Sequence, residues 1–154
     1  MPPVAVVTDT TGYLPVEVVE ANGIELVSLY VNFGGERTER EADLRDYDQF
    51  YDELRSAETL PTTSQPSIGD FIGVYEPLLA EGRDVVSVHI SSGISGTSGA
   101  AQQAKEALER DGRGGERVHV LDSATAAGGL GLVALAAARR AASGADAEAV
   151  LAHA

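Results

Sequence analysis

Short apolar segments alternate with stretches of helical periodicity, and this alternation restricts the possible folds more than any other feature of the sequence. We predict four strands: Val4–Val7, Ile24–Phe33, Asp84–Ile90 and Arg117–Leu121. Each is apolar along nearly its whole length, as is typical of strands that are covered on both faces. The pattern therefore predicts an α/β fold, with a mostly parallel sheet of about four strands and helices on both faces.

The intervening segments carry helix signals of two kinds, apolar spacing and end residues. The predicted helices are Pro15–Ala21, Leu44–Leu54, Ser67–Leu79, Ala100–Arg110 and Leu130–Ala142. Ser67-Ile68-Gly69-Asp70 resembles a capping box at the start of the third helix, with Asp in place of the usual Glu or Gln. The charged stretch Glu36–Asp43 has no periodicity and Pro61–Ser67 is polar, so both are predicted to be loops.

Composition excludes several classes of function. The 154 residues are 44% hydrophobic, enough for one domain with a real core, and carry a formal charge of −13. Such an acidic surface makes nucleic acid and anionic membrane surfaces poor partners. The absence of cysteine excludes disulfides, thiol nucleophiles and iron–sulfur clusters. No apolar run approaches the ~20 residues of a membrane span, so we expect a cytoplasmic protein without stable membrane insertion.

Residues rich in hydroxyl groups follow three of the predicted strands. Ligands of open parallel sheets lie beyond the carboxyl ends of the strands, here Thr8–Thr11, Ser91–Thr97 and Asp122–Thr125. Ser91–Thr97 separates a strand from a helix, so its amides are expected at a helix N-terminus, a position that binds anions. The same hydroxyls equally fit a structural role as helix caps. In Pro61–Ser67, we expect Ser67 to cap the helix that follows. Thr63 and Ser64 are not needed for capping and could form one wall of a polar pocket.

The sequence lacks the motifs that mark nucleotide, metal and hydrolase sites. Ser95 lacks the second glycine of a nucleophile elbow, since Thr97 stands there. The only lysine, Lys105, lies in a predicted helix and outside any P-loop. The three histidines share no metal-ligand spacing. We therefore expect neither a metal nor a cofactor.

Taken together, several motifs resemble the DegV family of bacterial fatty-acid-binding proteins along essentially the whole chain. The pair formed by Thr-Ser-Gln-Pro-Ser and Ser-Gly-Thr, at this separation, is the most specific of them. The matching segments are Thr8–Thr11, Leu29–Phe33, Phe50–Leu54, Thr63–Ser67, Ser91–Thr97 and Asp122-Ser123.

The resemblance implies a carrier and not an enzyme. In such proteins two α/β domains hold a long-chain fatty acid between them, and some members present it to a fatty-acid kinase. Carried onto this chain, Thr63 and Ser95 would donate hydroxyl hydrogen bonds to the carboxylate. Ser64, Gly96 and Thr97 would complete the head-group site, and its supporting loops would contribute Asp9, Thr10, Ser92, Asp122 and Ser123.

The resemblance also implies a domain boundary. Residues 1–145 would form the N-terminal domain, and 146–154 would begin a helix that leads to a second domain absent from this chain; from the residues alone, a frayed terminal helix is the alternative. Ser98-Gly99 stands where the family commonly has Tyr, a change that would widen the pocket near the head group. An isolated domain would expose an apolar face, and would bind acid weakly or dimerise.

Two other functions remain open at this stage. Ser95 or Thr63 could act as the nucleophile of a phosphoryl- or acyl-transfer enzyme, assisted by Asp9 or Asp122. None of the loops carries a His or Lys to serve as the base. The chain could also be a structural remnant that binds nothing.

Overall fold

The structure is a computed structural model that describes residues 2–34, 37–44 and 46–154. Within these residues the strands are β1 (Val4–Asp9), β2 (Ile24–Val27), β3 (Tyr30–Asn32), β4 (Thr38–Arg40), β5 (Thr62–Ser64), β6 (Asp84–His89) and β7 (Val118–Asp122). The α-helices are α1 (Val16–Ala21), α2 (Tyr47–Ser56), α3 (Ile68–Ala80), α4 (Thr97–Arg110), α5 (Gly128–Ala142) and α6 (Ala147–Leu151).

The main sheet has four parallel strands in the order β2-β1-β6-β7. Successive side chains of β1 point to opposite faces of the sheet, so its two faces build two separate cores. Ala5 and Val7 pack with residues of α3 and α4, whereas Val4 and Val6 pack with residues of α5 and α6. The predicted α/β fold, a parallel sheet with helices on both faces, is confirmed.

The prediction of one strand over Ile24–Phe33 is wrong, because the chain leaves the main sheet at Ser28. The Leu29 N–H donates to the Thr10 hydroxyl over 3.2 Å, and the Ser28 hydroxyl accepts the Ala42 N–H over 3.0 Å. These two bonds interrupt the strand. Its first part, β2, pairs with β1, and its second part, β3, belongs to another sheet.

The two predicted loops also contain strands, which is a second correction. β4 lies within Glu36–Asp43 and β5 within Pro61–Ser67; both pair antiparallel with β3 and form a three-stranded sheet in the order β4-β3-β5. Glu36 itself lies outside the described residues. Each strand has three residues and an exposed or mixed burial pattern, so pairing with β3, rather than an apolar period of its own, makes it a strand.

The predicted last residues of α1, α4 and α5 are confirmed, and the helix starts differ from the predictions by one to three residues. The capping box of α3 is confirmed: Ser67 accepts the Asp70 N–H, and Asp70 accepts the Ser67 N–H. Helix α2 begins at Tyr47 rather than Leu44, because Asp46 caps it. Helices α4 and α5 begin earlier than predicted, at Thr97 and Gly128.

The last described helix, α6, packs on the core of the domain. Asp146 caps it by accepting the Ala149 N–H, and Val150 is fully buried against the face of the sheet that α5 covers. The boundary placed after residue 145 stays a prediction. In the described part of the chain, no helix combines the length and apolar character that a membrane crossing requires.

Candidate functional site

The order of the main sheet places a topological switch point between β1 and β6. The chain passes from β1 outward to β2 and returns to the other side of β1 as β6, and such reversals open crevices at the carboxyl ends of parallel strands. Asp9 ends β1 and His89 ends β6, and both side chains are fully buried. The Asp9 Oδ2 atom accepts the His89 Nδ1–H and the Ile90 N–H, each over 3.0 Å.

A buried chain of hydrogen bonds continues from His89 into the core. The Tyr75 hydroxyl donates to the Ser87 Oγ over 2.7 Å, and that Oγ lies 2.6 Å from the His89 Nε2. Every donor finds an acceptor when Ser87 donates to Nε2 and His89 carries its proton on Nδ1, facing Asp9. The resulting order of donation is Tyr75, Ser87, His89, Asp9.

Sequence analysis considered His89 only as a candidate metal ligand, a role that it rejected, and it missed this network. The available signal was the spacing of Ser87 and His89, which lie two apart in an apolar strand and so face the same side of the sheet. Burial disfavours the charged form of Asp9 and by itself raises the pKa of its carboxyl group. The hydrogen bonds from His89, Thr11 and Ile90 outweigh burial, so the pKa of Asp9 lies below its usual value.

The side chains of the Thr8–Thr11 segment are engaged within the protein. Thr8 donates to the Val88 carbonyl over 2.8 Å. The other Asp9 oxygen accepts the Thr11 N–H over 3.1 Å and also the Thr11 hydroxyl proton. The Thr10 hydroxyl donates to Glu41 while it accepts the Leu29 N–H. Asp9 and Thr10, both predicted as supporting residues, thus fix the end of β1 by direct hydrogen bonds.

The loops after β6 and β7 are joined by three hydrogen bonds. Ser91 N–H donates to the Thr125 carbonyl over 2.9 Å, and Ser123 N–H donates to the His89 carbonyl over 3.0 Å. Asp122 accepts the Ser92 N–H over 3.2 Å. Hydrogen bonds from Ser92, and secondarily from the Ala124 amide, hold the pKa of the exposed Asp122 below its usual value. Asp122, Ser123 and Ser92 therefore shape the Ser91–Thr97 loop.

Ser95 lies at the N-terminus of α4. Its half-buried hydroxyl is 2.8 Å from the Thr97 Oγ1 and accepts the Thr97 N–H over 3.3 Å. Gly96 is the N-cap residue and has no side chain to satisfy the first amides of the helix. A helix of 14 residues thus begins beside the Ser95 hydroxyl, with the positive end of its dipole at the surface.

The side chain of Gln65 connects this loop to β5. A Cβ atom built on Gly96 would lie only 2.8 Å from the Gln65 Cδ, so the amide group of Gln65 rests directly on the Gly96 backbone. Pro66 favours an extended backbone at Gln65. In an extended backbone, side chains two residues apart, such as those of Thr63 and Gln65, point to the same side. From this alternation we expect Thr63 on the side of the Ser91–Thr97 loop. Ser64 has a different partner, since its hydroxyl accepts the Asn32 side-chain N–H over 3.5 Å.

The sequence analysis did not select Gln65 as a site residue. The motif Thr-Ser-Gln-Pro-Ser contained it, but nothing local indicates that its partner is a glycine 31 positions away. Because Gly96 has no side chain, it leaves room for the amide group of Gln65. This contact joins the Thr-Ser-Gln-Pro-Ser motif to the Ser-Gly-Thr motif.

The described residues provide no base for nucleophilic catalysis by Ser95 or Thr63. Asp9 and His89 are buried and engaged with each other, and Asp122 hydrogen-bonds to Ser92 and Ala124. None of these side chains hydrogen-bonds to Ser95 or Thr63 in the described part of the chain. The hydroxyls and helix-terminal amides of these loops are groups that can hold an anion.

Comparison with known proteins agrees with this fold. The DegV family profile, described as a family of uncharacterised proteins, matches residues 3–154. Protein DegV of Bacillus subtilis is 42% identical over 106 residues, which are 69% of this chain and 37% of that protein. The chain thus spans well under half the length of that relative.

Solved structures give the same assignment. The crystal structure of DegV from Bacillus subtilis, described as a fatty acid binding protein, matches with a TM-score of 0.85 and 36% identity, over 99% of this chain and 52% of that one. A DegV family protein from Thermus thermophilus, described by its fatty acid binding, matches with a TM-score of 0.83 and 38% identity, over 97% of this chain and 51% of that one. Because the family profile matches residues 3–154, nearly the whole chain, this chain belongs to the DegV family.

Proposed function

We propose that this chain binds the carboxylate head of a long-chain fatty acid between β5 and the N-terminus of α4. The observation that carries the proposal is the contact of Gln65 with Gly96, because it brings two hydroxyl-rich segments together at a helix N-terminus. In the proposed complex Thr63 and Ser95 donate their hydroxyl protons to the carboxylate. The amides of Ser64 and Gly96 assist, and Thr97, whose N–H donates to the Ser95 Oγ, orients that hydroxyl. The fatty-acid binding described for the two solved relatives supports the choice of ligand.

The energetics of this site do not require a cation. Hydrogen bonds to a charged group contribute about 1.5–3 kcal/mol each, and a helix N-terminus adds about 0.3–1 kcal/mol for a nearby anion. The charge of −13 does not oppose binding strongly, since exposed charges are screened beyond about 8–10 Å in physiological salt. Most of the affinity would come from the tail, at about 0.8 kcal/mol for each buried CH₂ group.

Exposed apolar side chains near this edge of the sheet would receive part of the tail. Ile94, in the Ser91–Thr97 loop, is 68% exposed, and Leu132, near the start of α5, is 69% exposed. In the family resemblance a second domain supplies the other wall, and the acid is delivered to a fatty-acid kinase in the cytoplasm. We include both in the proposal.

An amide-resolved NMR titration with oleate, kept below its aggregation concentration, tests the head-group site directly. We expect shifts at Thr63–Gln65 and Ser95–Thr97 with oleate and not with inorganic phosphate. Ser95→Ala should weaken binding about tenfold, the loss of roughly one charge-assisted bond. Ser143→Ala is the matched control, because the end of α5 lies at the opposite edge of the sheet, beside the start of β1.

Three results would count against the proposal. Equal affinity of Ser95→Ala and the unmodified chain would remove the site assignment. Equal shifts with phosphate would indicate a general anion site and favour phosphoryl chemistry. If a two-domain DegV protein binds oleate but its shifts avoid the matching segments, the head group lies elsewhere.

A further inference from the structure

A groove of about 660 Å³ opens between α1, the turn after β1 and the segment that precedes α2. None of the residues that line it belongs to β5 or to the Ser91–Thr97 loop, so it is distinct from the candidate carboxylate site. Its floor is apolar and combines side chains from the turn, α1, β2 and the segment before α2: Leu14, Val19, Ile24, Leu26 and Leu44. The volume exceeds that of one side chain and suits several neighbouring ones.

The mouth of the groove carries large exposed side chains. Tyr13 is 64% exposed, Tyr47 is 59% exposed and Val16 is 51% exposed, and all three line the groove. Tyrosine is enriched among the residues that dominate protein–protein binding, because it offers a large rigid surface with a polar end. The Tyr13 hydroxyl is held in place, since it donates to the Glu41 carboxylate over 3.1 Å.

Among the described residues that line the groove, every charged one is acidic. Glu20 and Glu41 contribute carboxylates, and the charge of Asp9, at the buried end, is compensated by its own hydrogen-bond donors. Burial, then the neighbouring Glu41 carboxylate, raise the pKa of Tyr13 to about 12. A fatty-acid carboxylate would be repelled here. A positive group would be attracted both by the carboxylates and by the faces of the tyrosine rings.

We propose that this groove is a docking site for a basic amphipathic segment of a partner protein. An apolar side chain of the segment would enter the floor between Val19 and Leu26. A Lys or Arg of the segment would lie at the mouth, between Glu41 and the rings of Tyr13 and Tyr47. The charge complementarity and the apolar floor carry this inference, and it is independent of fatty-acid binding.

An NMR titration of this chain with two model peptides tests the docking site. The probe is a 14-residue amphipathic helix of Leu and Lys, and its counterpart has Glu at every Lys position. We expect the Leu/Lys peptide to shift the amides of Tyr13, Val16 and Tyr47, and the Leu/Glu peptide to leave them unchanged. Val16→Lys, a change at an exposed helix position, should weaken binding about tenfold by repulsion. Glu41→Gln should weaken it about fivefold.

Controls separate this site from general attraction to an acidic protein. Glu148→Gln removes an exposed charge of α6 and should leave the affinity unchanged, and so should Ser95→Ala. Circular dichroism checks that each variant is folded. Shifts spread over α4 and α6, or equal affinities of Val16→Lys and the unmodified chain, would overturn the proposal. So would equal shifts from octylamine alone, which would make the groove a site for small amphiphilic cations.

Discussion

Replacing Asp9 by asparagine tests the buried network at the switch point. The change keeps the size of the side chain but replaces one carboxylate oxygen by an NH₂ group. One amide oxygen can still accept from Thr11, which leaves the NH₂ group facing the His89 Nδ1–H and the Ile90 N–H. Two buried donors then lose their acceptor, while the protein no longer bears the cost of burying a charge.

The hydrogen bonds that Asp9→Asn breaks set the size of the expected loss in the free energy of unfolding. Each buried group left without its partner costs about 1–3 kcal/mol, and relief from burying the carboxylate returns part of this, so we expect a loss of about 2–4 kcal/mol. In a domain of this size 1 kcal/mol corresponds to about 2–4 °C, so the melting temperature should fall by roughly 5–15 °C. Thermal unfolding followed by circular dichroism at pH 7 measures the change.

The penalty should depend on pH with a definite sign. The folded-state pKa of Asp9 lies below its unfolded value, so its stabilisation is fully present above about pH 4, the unfolded pKa. That stabilisation is lost as the pH falls through the folded-state pKa. The difference between Asp9→Asn and the unmodified protein should therefore be largest near pH 7 and shrink at pH 3.

Asp122→Asn provides the matched control, because Asp122 ends β7 as Asp9 ends β1 but is exposed. It should cost less than about 1 kcal/mol, as expected for solvated polar contacts. If Asp9→Asn changes the melting temperature by less than about 2 °C, or as much at pH 3 as at pH 7, the assignment of the network as a stabilising element is refuted.

Two further predictions concern local structure, and thermal unfolding tests both. Ser67→Ala removes the cap of α3 and should cost about 1 kcal/mol, whereas no change would mean that the capping box contributes nothing in solution. Gly115→Ala should cost about 1–3 kcal/mol, because its Cβ would lie 2.8 Å from the Glu109 Cα and would force the backbone to shift. Gly73→Ala, in an open position of α3, should instead stabilise the protein by about 0.5–1 kcal/mol; the opposite order of the two variants would contradict this reasoning.

The sequence predicted those elements whose signals are local. The apolar strands β1 and β6 could be located because a strand covered on both faces has few polar side chains. The start of α3 could be located because Ser67 and Asp70 form a capping box within four residues. These signals survive in the folded protein because the tertiary structure does not oppose them.

The elements that were missed depend on contacts between distant residues. Strands β4 and β5 become strands only by pairing with β3, and neither has a pattern of its own. The break at Ser28 depends on Ala42, and the role of Gly96 depends on Gln65. For the candidate site, Thr63 and Ser95 stay predictions, and the contact of Gln65 with Gly96, which joins their segments, has no local signal in the sequence.

The buried network also explains why the candidate ligand site lies above the sheet rather than between its strands. A switch point ordinarily leaves a crevice between the two strands that it separates. Here Asp9 and His89 fill it: both are fully buried, and the Asp9 oxygens accept hydrogen bonds from His89, Ile90 and Thr11. Since those donors compensate the Asp9 charge, the base of the site need not repel an anion. The proposed donors to the carboxylate, Thr63 and Ser95, lie instead on β5 and at the N-terminus of α4.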